Sequence, residues 1–344
     1  MTKGKGGRNQ LRVLHIPEGG LPVITLSRAL RLKGITSSVC HFYENRYNFE
    51  SDVCLHLQNI PKHLREKEIK KYLDKAIHEY DIFHFHFGGT FFSDKRDLER
   101  LKRAGKKMVV HHHGSDVRML SVAKERNPYV RVKPEWTEGK IKKSLSKLSA
   151  YVDHAIVQDE ELKTYVKDYY NHTHVIPHIV DHNELQPNYP PFKSTPLVLH
   201  APTKRDLKGT EFVLSAVEKL KKEGISFDFR LIEGMDHQET MNLLSKADIV
   251  IDQLRIGASG YLSTEAMALG KPVICYIRED LVDAYPKDFP IVNAHPNTIK
   301  SVLKKLIQNP AQWKELGVKG RAYIKHHHIA AEVIDDYIDI YKQL

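Results

Sequence analysis

Hydrophobic and polar positions along the chain alternate between two periods. Short apolar runs rich in β-branched and aromatic residues at 11–16, 37–43, 81–87, 107–110, 153–157 and 174–177 read as buried strands. Between them, 21–34, 60–80, 97–104, 139–151 and 160–170 carry apolar positions three and four apart, the spacing of an amphipathic helix. The pattern resumes with strands at 197–200, 227–232, 248–251 and 273–277 and helices at 210–222, 238–245, 264–269 and 298–308. The end, 312–344, is helical in pattern, broken near Gly320 or at His326–His328, and closes on the amphipathic run 330–341. Strand alternating with helix predicts an α/β protein with parallel sheets.

A chain of 344 residues exceeds what one core usually serves, so two domains are expected. The proline-rich stretch 181–196, with Pro187, Pro190, Pro191 and Pro196, marks the boundary. This gives a basic tail at 1–10, a first Rossmann-like domain at 11–185, a linker at 186–196, a second Rossmann-like domain at 197–325, and a helix at 326–344 returning to the first domain. The two domains are expected to face a central cleft.

Composition narrows the classes. Three cysteines without CxxC spacing read as buried thiols of a reducing compartment. No apolar run reaches membrane-spanning length, and residues 1–10 lack the apolar half of a signal peptide, so a cytoplasmic protein is expected. The formal charge of +10 is concentrated at Lys95, Arg96, Arg100, Lys102, Arg103, Lys106 and Lys107 and at Lys140, Lys142, Lys143 and Lys147. Such a field attracts anions, including a phosphorylated substrate or the inner face of an anionic membrane. Without zinc-finger spacing or an RNP-like aromatic motif, nucleic acid is disfavoured.

Candidate chemistry sits at strand ends. Gly19–Gly20 follows the first strand and precedes a helix, a geometry that turns backbone N–H groups toward an anion and serves equally as a structural turn. His84 and His86 share one strand face; no third metal ligand lies near them in sequence, so packing histidines are the preferred reading. His111, His112 and His113 alternate in direction, which excludes a zinc site made of all three. One of them, beside Asp116, is a candidate acid/base or polarising group. Irregular 118–138 reads as a lid or acceptor-facing loop. Lys204, Arg205 and Lys208 precede a helix and could seat a diphosphate. In 247–276 a strand, a glycine-interrupted loop and a short helix carrying Glu265 form the most ligand-like unit of the second half.

That unit, ADIVIDQL followed by GYLSTEAMALGKPVI, resembles the persistent signature of the retaining family 4 glycosyltransferases of GT-B fold. Lys208–Gly209 resembles their KG element, Gly19–Gly20 their first glycine loop, His113–Gly114 their HG, and IPHIVD at 176–181 their domain-junction IPNGVD. The resemblance implies a transferase moving a sugar from a UDP-sugar to a hydroxyl in bacterial glycan, glycolipid or related synthesis. It implies Glu265 on the ribose, Lys208 on the diphosphate, and amides of Gly260, Tyr261, Leu262 and Ser263 on phosphate or sugar. His113 would contact the transferred sugar, and Gly20 would approach the diphosphate from the opposite domain. The leaving diphosphate takes the acceptor's proton, and Lys208 with a neighbouring arginine does the electrostatic work of a metal, so no cofactor and no divalent metal are expected.

Two departures accompany the resemblance. Gly257 stands where the family carries a second glutamate. Pro202 and Thr203 stand where it carries an arginine, leaving Lys204 or Arg205 to replace that cation. They motivate an alternative: a noncatalytic nucleotide- or glycan-binding protein of the same fold.

Overall fold

A computed structural model describes residues 11–17, 20–44, 51–181 and 184–344. The expected basic tail and Gly19 lie outside these residues. The first domain contains β1 (Arg12–Ile16), α1 (Leu21–Leu32), β2 (Thr36–His41), β3 (Val53–Cys54), α2 (Lys62–Glu79), β4 (Ile82–His86), α3 (Asp97–Arg103), β5 (Lys107–His111), α4 (Leu120–Lys124), α5 (Glu138–Ser149), β6 (His154–Val157), α6 (Glu160–Val166) and β7 (His172–Val175). Its strands form one parallel sheet ordered β3-β2-β1-β4-β5-β6-β7. The order reverses between β1 and β4, where a crevice opens beyond the strands' carboxyl ends.

The second domain contains β8 (Leu197–His200), α7 (Arg205–Lys208), α8 (Thr210–Lys222), β9 (Asp228–Leu231), α9 (His237–Leu244), β10 (Ile249–Ile251), α10 (Tyr261–Ala268), β11 (Val273–Cys275), β12 (Val292–Asn293), α11 (Ile299–Ile307), α12 (Ala311–His327) and α13 (Ala330–Gln343). Its parallel sheet is ordered β12-β11-β10-β8-β9, with the switch between β8 and β10. Both central strand sets are buried on both faces, which is why they read as apolar runs rather than alternating ones.

The last helix break falls at His328, while Gly320 stays inside α12 and packs on Met267. From there α13 crosses back: Val333, Ile334, Tyr337, Ile340 and Tyr341 pack with Leu26, Ala29 and Leu30 of α1 and with Val13 of β1. Four elements escaped the periodicity, and all are too short to show one: β3 and β12 have two residues each, α7 is a single turn and α4 has five residues. Helix α10 begins at Tyr261, three residues before its expected start, so Tyr261, Leu262 and Ser263 form its first turn rather than a loop.

The expected lid is a clasp between the domains. Asn127 Nδ2 donates to the carbonyls of Arg255 and Ile256 at 2.8 and 2.9 Å. Tyr129 stacks on His295 with centroids 5.1 Å apart and accepts from Asn297 through its hydroxyl. Arg126 pairs with Asp280 at 3.2 Å. Among the described residues, no helix is long and apolar enough to cross a membrane.

Candidate active site

The second switch point is organised by a carboxylate that the sequence did not single out as a site residue. Asp252 directly follows β10, fully buried, and Lys208 Nζ reaches it at 2.9 Å while also donating to Gln253 Oε1 at 2.7 Å. The other carboxylate oxygen accepts from the Gly260 amide at 3.0 Å and the Ser263 hydroxyl at 2.7 Å. Burial alone would raise this carboxyl, but Lys208 and these hydrogen bonds hold it below the usual range. Lys208, Gly260 and Ser263 are therefore brought together as expected, around an internal anion. The Gly260 amide is engaged within the protein, while first-turn amides of a helix have no acceptor inside it.

Glu265 lies on the next turn of α10, buried, with Oε1 2.6 Å from His237 Nε2. Burial raises the glutamate's pKa despite the imidazole; burial also opposes charge on His237, but the Glu265 carboxylate outweighs it and raises that pKa too. Glu265, Tyr261 and His237 line an interdomain cavity of about 640 Å³, with Leu21 and Thr25 of α1 opposite. Gly20 caps α1 with φ of 69°, a left-handed conformation that glycine adopts without strain. It immediately precedes Leu21, which lines the cavity.

His113 is half-buried just beyond β5, its ring stacked on Phe87 and His111. Burial, then neighbouring His111, pushes its pKa well below the ordinary histidine value, so the ring is neutral. The alternation expected for 111–113 is present: His112 turns to the opposite face, bonded to Asp116 at 2.6 Å and Tyr170 at 2.9 Å. Asp116 also accepts from the His113 and Gly114 amides, which fixes the loop carrying the imidazole.

The two replacement cations fall elsewhere. Arg205 forms a bidentate pair with Glu233, and Lys204 is exposed. Gly257 has φ of 87°, and a Cβ there would lie 2.4 Å from Arg278 Cγ. The space a glutamate would need is thus filled by Arg278, itself buried and bidentate with Asp280. Sequence reading missed Asp252, His237 and Arg278. Only Asp252 carried a signal, an acid at the very end of an apolar strand. Much of the basic excess on and just before α3 is neutralised locally: Arg96 meets Glu66 and Asp94, Arg100 meets Asp74, and Arg103 meets Glu99. Lys140, Lys142, Lys143 and Lys147 on α5 remain exposed, opposite the buried Ile141, Leu145 and Leu148.

Residues 23–184 match the family described as Glycosyltransferase Family 4. No curated protein matches the chain in sequence. Among solved structures, HepE from Anabaena in complex with UDP and glucose superposes with a TM-score of 0.68 at 13% identity, covering 97% of this chain and 100% of that one. Sucrose-phosphate synthase from Thermosynechococcus elongatus gives 0.64 at 16% identity, covering 96% and 98%. WaaG, a glycosyltransferase involved in lipopolysaccharide biosynthesis, gives 0.61 at 12% identity, covering 96% and 99%. The GT-B fold and the resemblance to family 4 read from the sequence are borne out.

Proposed function

We propose that this chain is a retaining glycosyltransferase that moves a sugar from a UDP-sugar to a hydroxyl acceptor without a catalytic metal at the diphosphate. The observation that carries this reading is the cavity between the domains, where the buried Glu265 faces α1 and shares its helix with residues bound to Asp252. Glu265 accepts from the ribose hydroxyls. Lys208 is held at the same switch point, 15% exposed, where it can turn from Asp252 and Gln253 toward a diphosphate. Stabilising the leaving diphosphate is the main catalytic task, which fixed cations and amides accomplish without reorganisation. HepE, solved with UDP and glucose on the same fold, supports this donor class.

The acceptor we propose is a phosphorylated or lipid-linked sugar, met by the exposed lysines of α5 at the inner face of an anionic membrane; the protein is cytoplasmic. The second reading, a noncatalytic nucleotide-binding protein, is favoured by one observation, the Arg278 side chain lying over Gly257.

Calorimetry with UDP, followed by mass-spectrometric screening of nucleotide-sugar donors for turnover, separates the two. UDP binding weakened about tenfold by Glu265→Gln, the size of one lost charge-assisted hydrogen bond, together with product formation, supports the transferase. Binding without turnover across the donors supports the second reading. Undetectable UDP binding, or full UDP affinity in Glu265→Gln, overturns the site.

A further inference from the structure

The face of the first sheet covered by α1 and α13 changes character along its strands. At the strand starts it is apolar, with Val13, Ile82 and Val109 packed on Leu26, Leu30 and Ile334. At the carboxyl ends the same face carries His15, His84, His86 and His111, all buried. Parallel pairing sets His15 beside His84 and His86 beside His111. Packing alone does not call for imidazoles here, because each brings two ring nitrogens whose burial costs free energy unless a partner is found. Yet among the described residues His15 Nε2, His84 Nε2 and both nitrogens of His111 meet no hydrogen-bond partner.

We propose that His15, His84 and His86 form a binding site for one transition-metal ion of the zinc class, which staples β1 to β4 at the switch point. Their ligand atoms lie within 4.8 Å of one another. His15 Nδ1 and His86 Nε2 are 3.1 Å apart, close to the roughly 3.3 Å between two nitrogens on one tetrahedral ion with bonds of about 2 Å. His84 contributes Nε2, because its Nδ1 is 2.8 Å from the Tyr341 hydroxyl. Such an outer partner fixes the tautomer and the ring orientation. His86 is anchored likewise, with Nδ1 3.1 Å from His113 Nε2.

Two imidazoles at i and i+2 on one strand, with a third in register on the next, direct three nitrogens to one side of a sheet and leave a fourth position for water. An all-imidazole donor set suits Zn²⁺, Cu²⁺, Ni²⁺ or Co²⁺ rather than Mg²⁺ or Ca²⁺. Burial keeps the three rings neutral, the form that ligates. A second triad, His86, His111 and His113, meets the same distance criterion. The triads differ in their third ring: His84 is oriented by Tyr341, whereas His111 has neither nitrogen bonded to a described residue, which is why the first triad is the site.

The test uses the full chain, stripped with a chelator and titrated with Co²⁺ alone. The expected result is one ion per chain, the visible absorption of tetrahedral Co²⁺, and a higher unfolding temperature with Zn²⁺, since an ion bound to the native state stabilises it. His84→Phe and His15→Phe abolish the band, His111→Phe keeps it, and Tyr341→Phe weakens affinity about tenfold by freeing the His84 ring. If His84→Phe fails to fold, the wild-type spectrum and Tyr341→Phe decide. The absence of stoichiometric binding by the wild type overturns the site. So does a band that survives His84→Phe, which would mark adventitious binding by other histidines, or one lost in His111→Phe, which would move the ion to the second triad. None of these readings depends on sugar transfer.

Discussion

The two switch points of this molecule occupy equivalent places in two parallel sheets and have opposite chemistry. In the second domain the crevice is built from charge: Asp252 against Lys208, Glu265 against His237. In the first the protein's own groups are neutral rings: His113 bonded to His86, and His86 to His15. The fold supplies a crevice at both, through strand order alone. What enters each crevice is decided by the few residues just past the strand ends. A charged crevice suits an anionic leaving group, and a neutral one suits a sugar hydroxyl.

The largest expected effect comes from the charged side. Replacing Lys208 with Met removes the cation expected at the diphosphate and strands a buried Asp252, at a cost of about 3–5 kcal/mol for an uncompensated internal charge. Asp252→Asn in the same chain removes that charge, so the double variant regains most of its thermal stability. Transfer in the double variant stays down by about 100-fold or more, as for the loss of a preorganised donor to a developing charge. Recovered transfer along with recovered stability would reduce Lys208 to a structural partner of Asp252.

On the neutral side, His113→Asn lowers the transfer rate about 100-fold, the usual scale for one positioned polar group. UDP affinity measured by calorimetry stays unchanged, because the ring is expected on the transferred sugar, which UDP lacks. A drop in UDP affinity equal to the drop in rate would erase the division of labour between the two crevices.

The sequence made this comparison half visible. Strand and helix alternation and the unit around Glu265 were legible because apolar periodicity and glycine spacing are local signals. Asp252 as an organiser was not, since its partners Lys208, Gly260 and Ser263 lie up to 44 residues away. The histidine cluster was hidden for the same reason: His15 and His84 meet across 69 positions through parallel register. Nothing in the irregular 118–138 indicated a clasp, because Asn127 holds the second domain through backbone carbonyls, which every sequence offers.

A smaller effect tests the anomaly in the charged crevice. Gly257→Glu restores the family's residue but places a side chain at φ of 87° against Arg278. It should destabilise the protein by about 1–3 kcal/mol, the usual cost of a residue held in a disfavoured backbone region. Combining it with Arg278→Ala relieves the contact and leaves the backbone penalty, so the unfolding temperature recovers only in part. If Gly257→Glu unfolds like the parent chain, the loop is adaptable and Gly257 is not forced by Arg278.

The smallest effect is a pH dependence confined to Glu265 and His237. The folded protein holds His237 above its unfolded pKa of about 6.5. A group raised in this way adds stability that is fully present below its unfolded pKa and fades as pH climbs through the folded one. Glu265→Gln removes the carboxylate that raises it. Compared by thermal unfolding, the parent should therefore gain on Glu265→Gln near pH 6 by at most about 1 kcal/mol, given partial solvent screening of the imidazole. That gain should decline as pH rises past neutrality. The raised pKa of Glu265 itself acts in the same direction, since a carboxyl that binds its proton more tightly when folded loses stability as pH rises above about 4.5. A gap between the two proteins that stays constant or widens with pH would mean that the contact at 2.6 Å is a neutral hydrogen bond, and that the second crevice is less sharply charged than its partner list indicates.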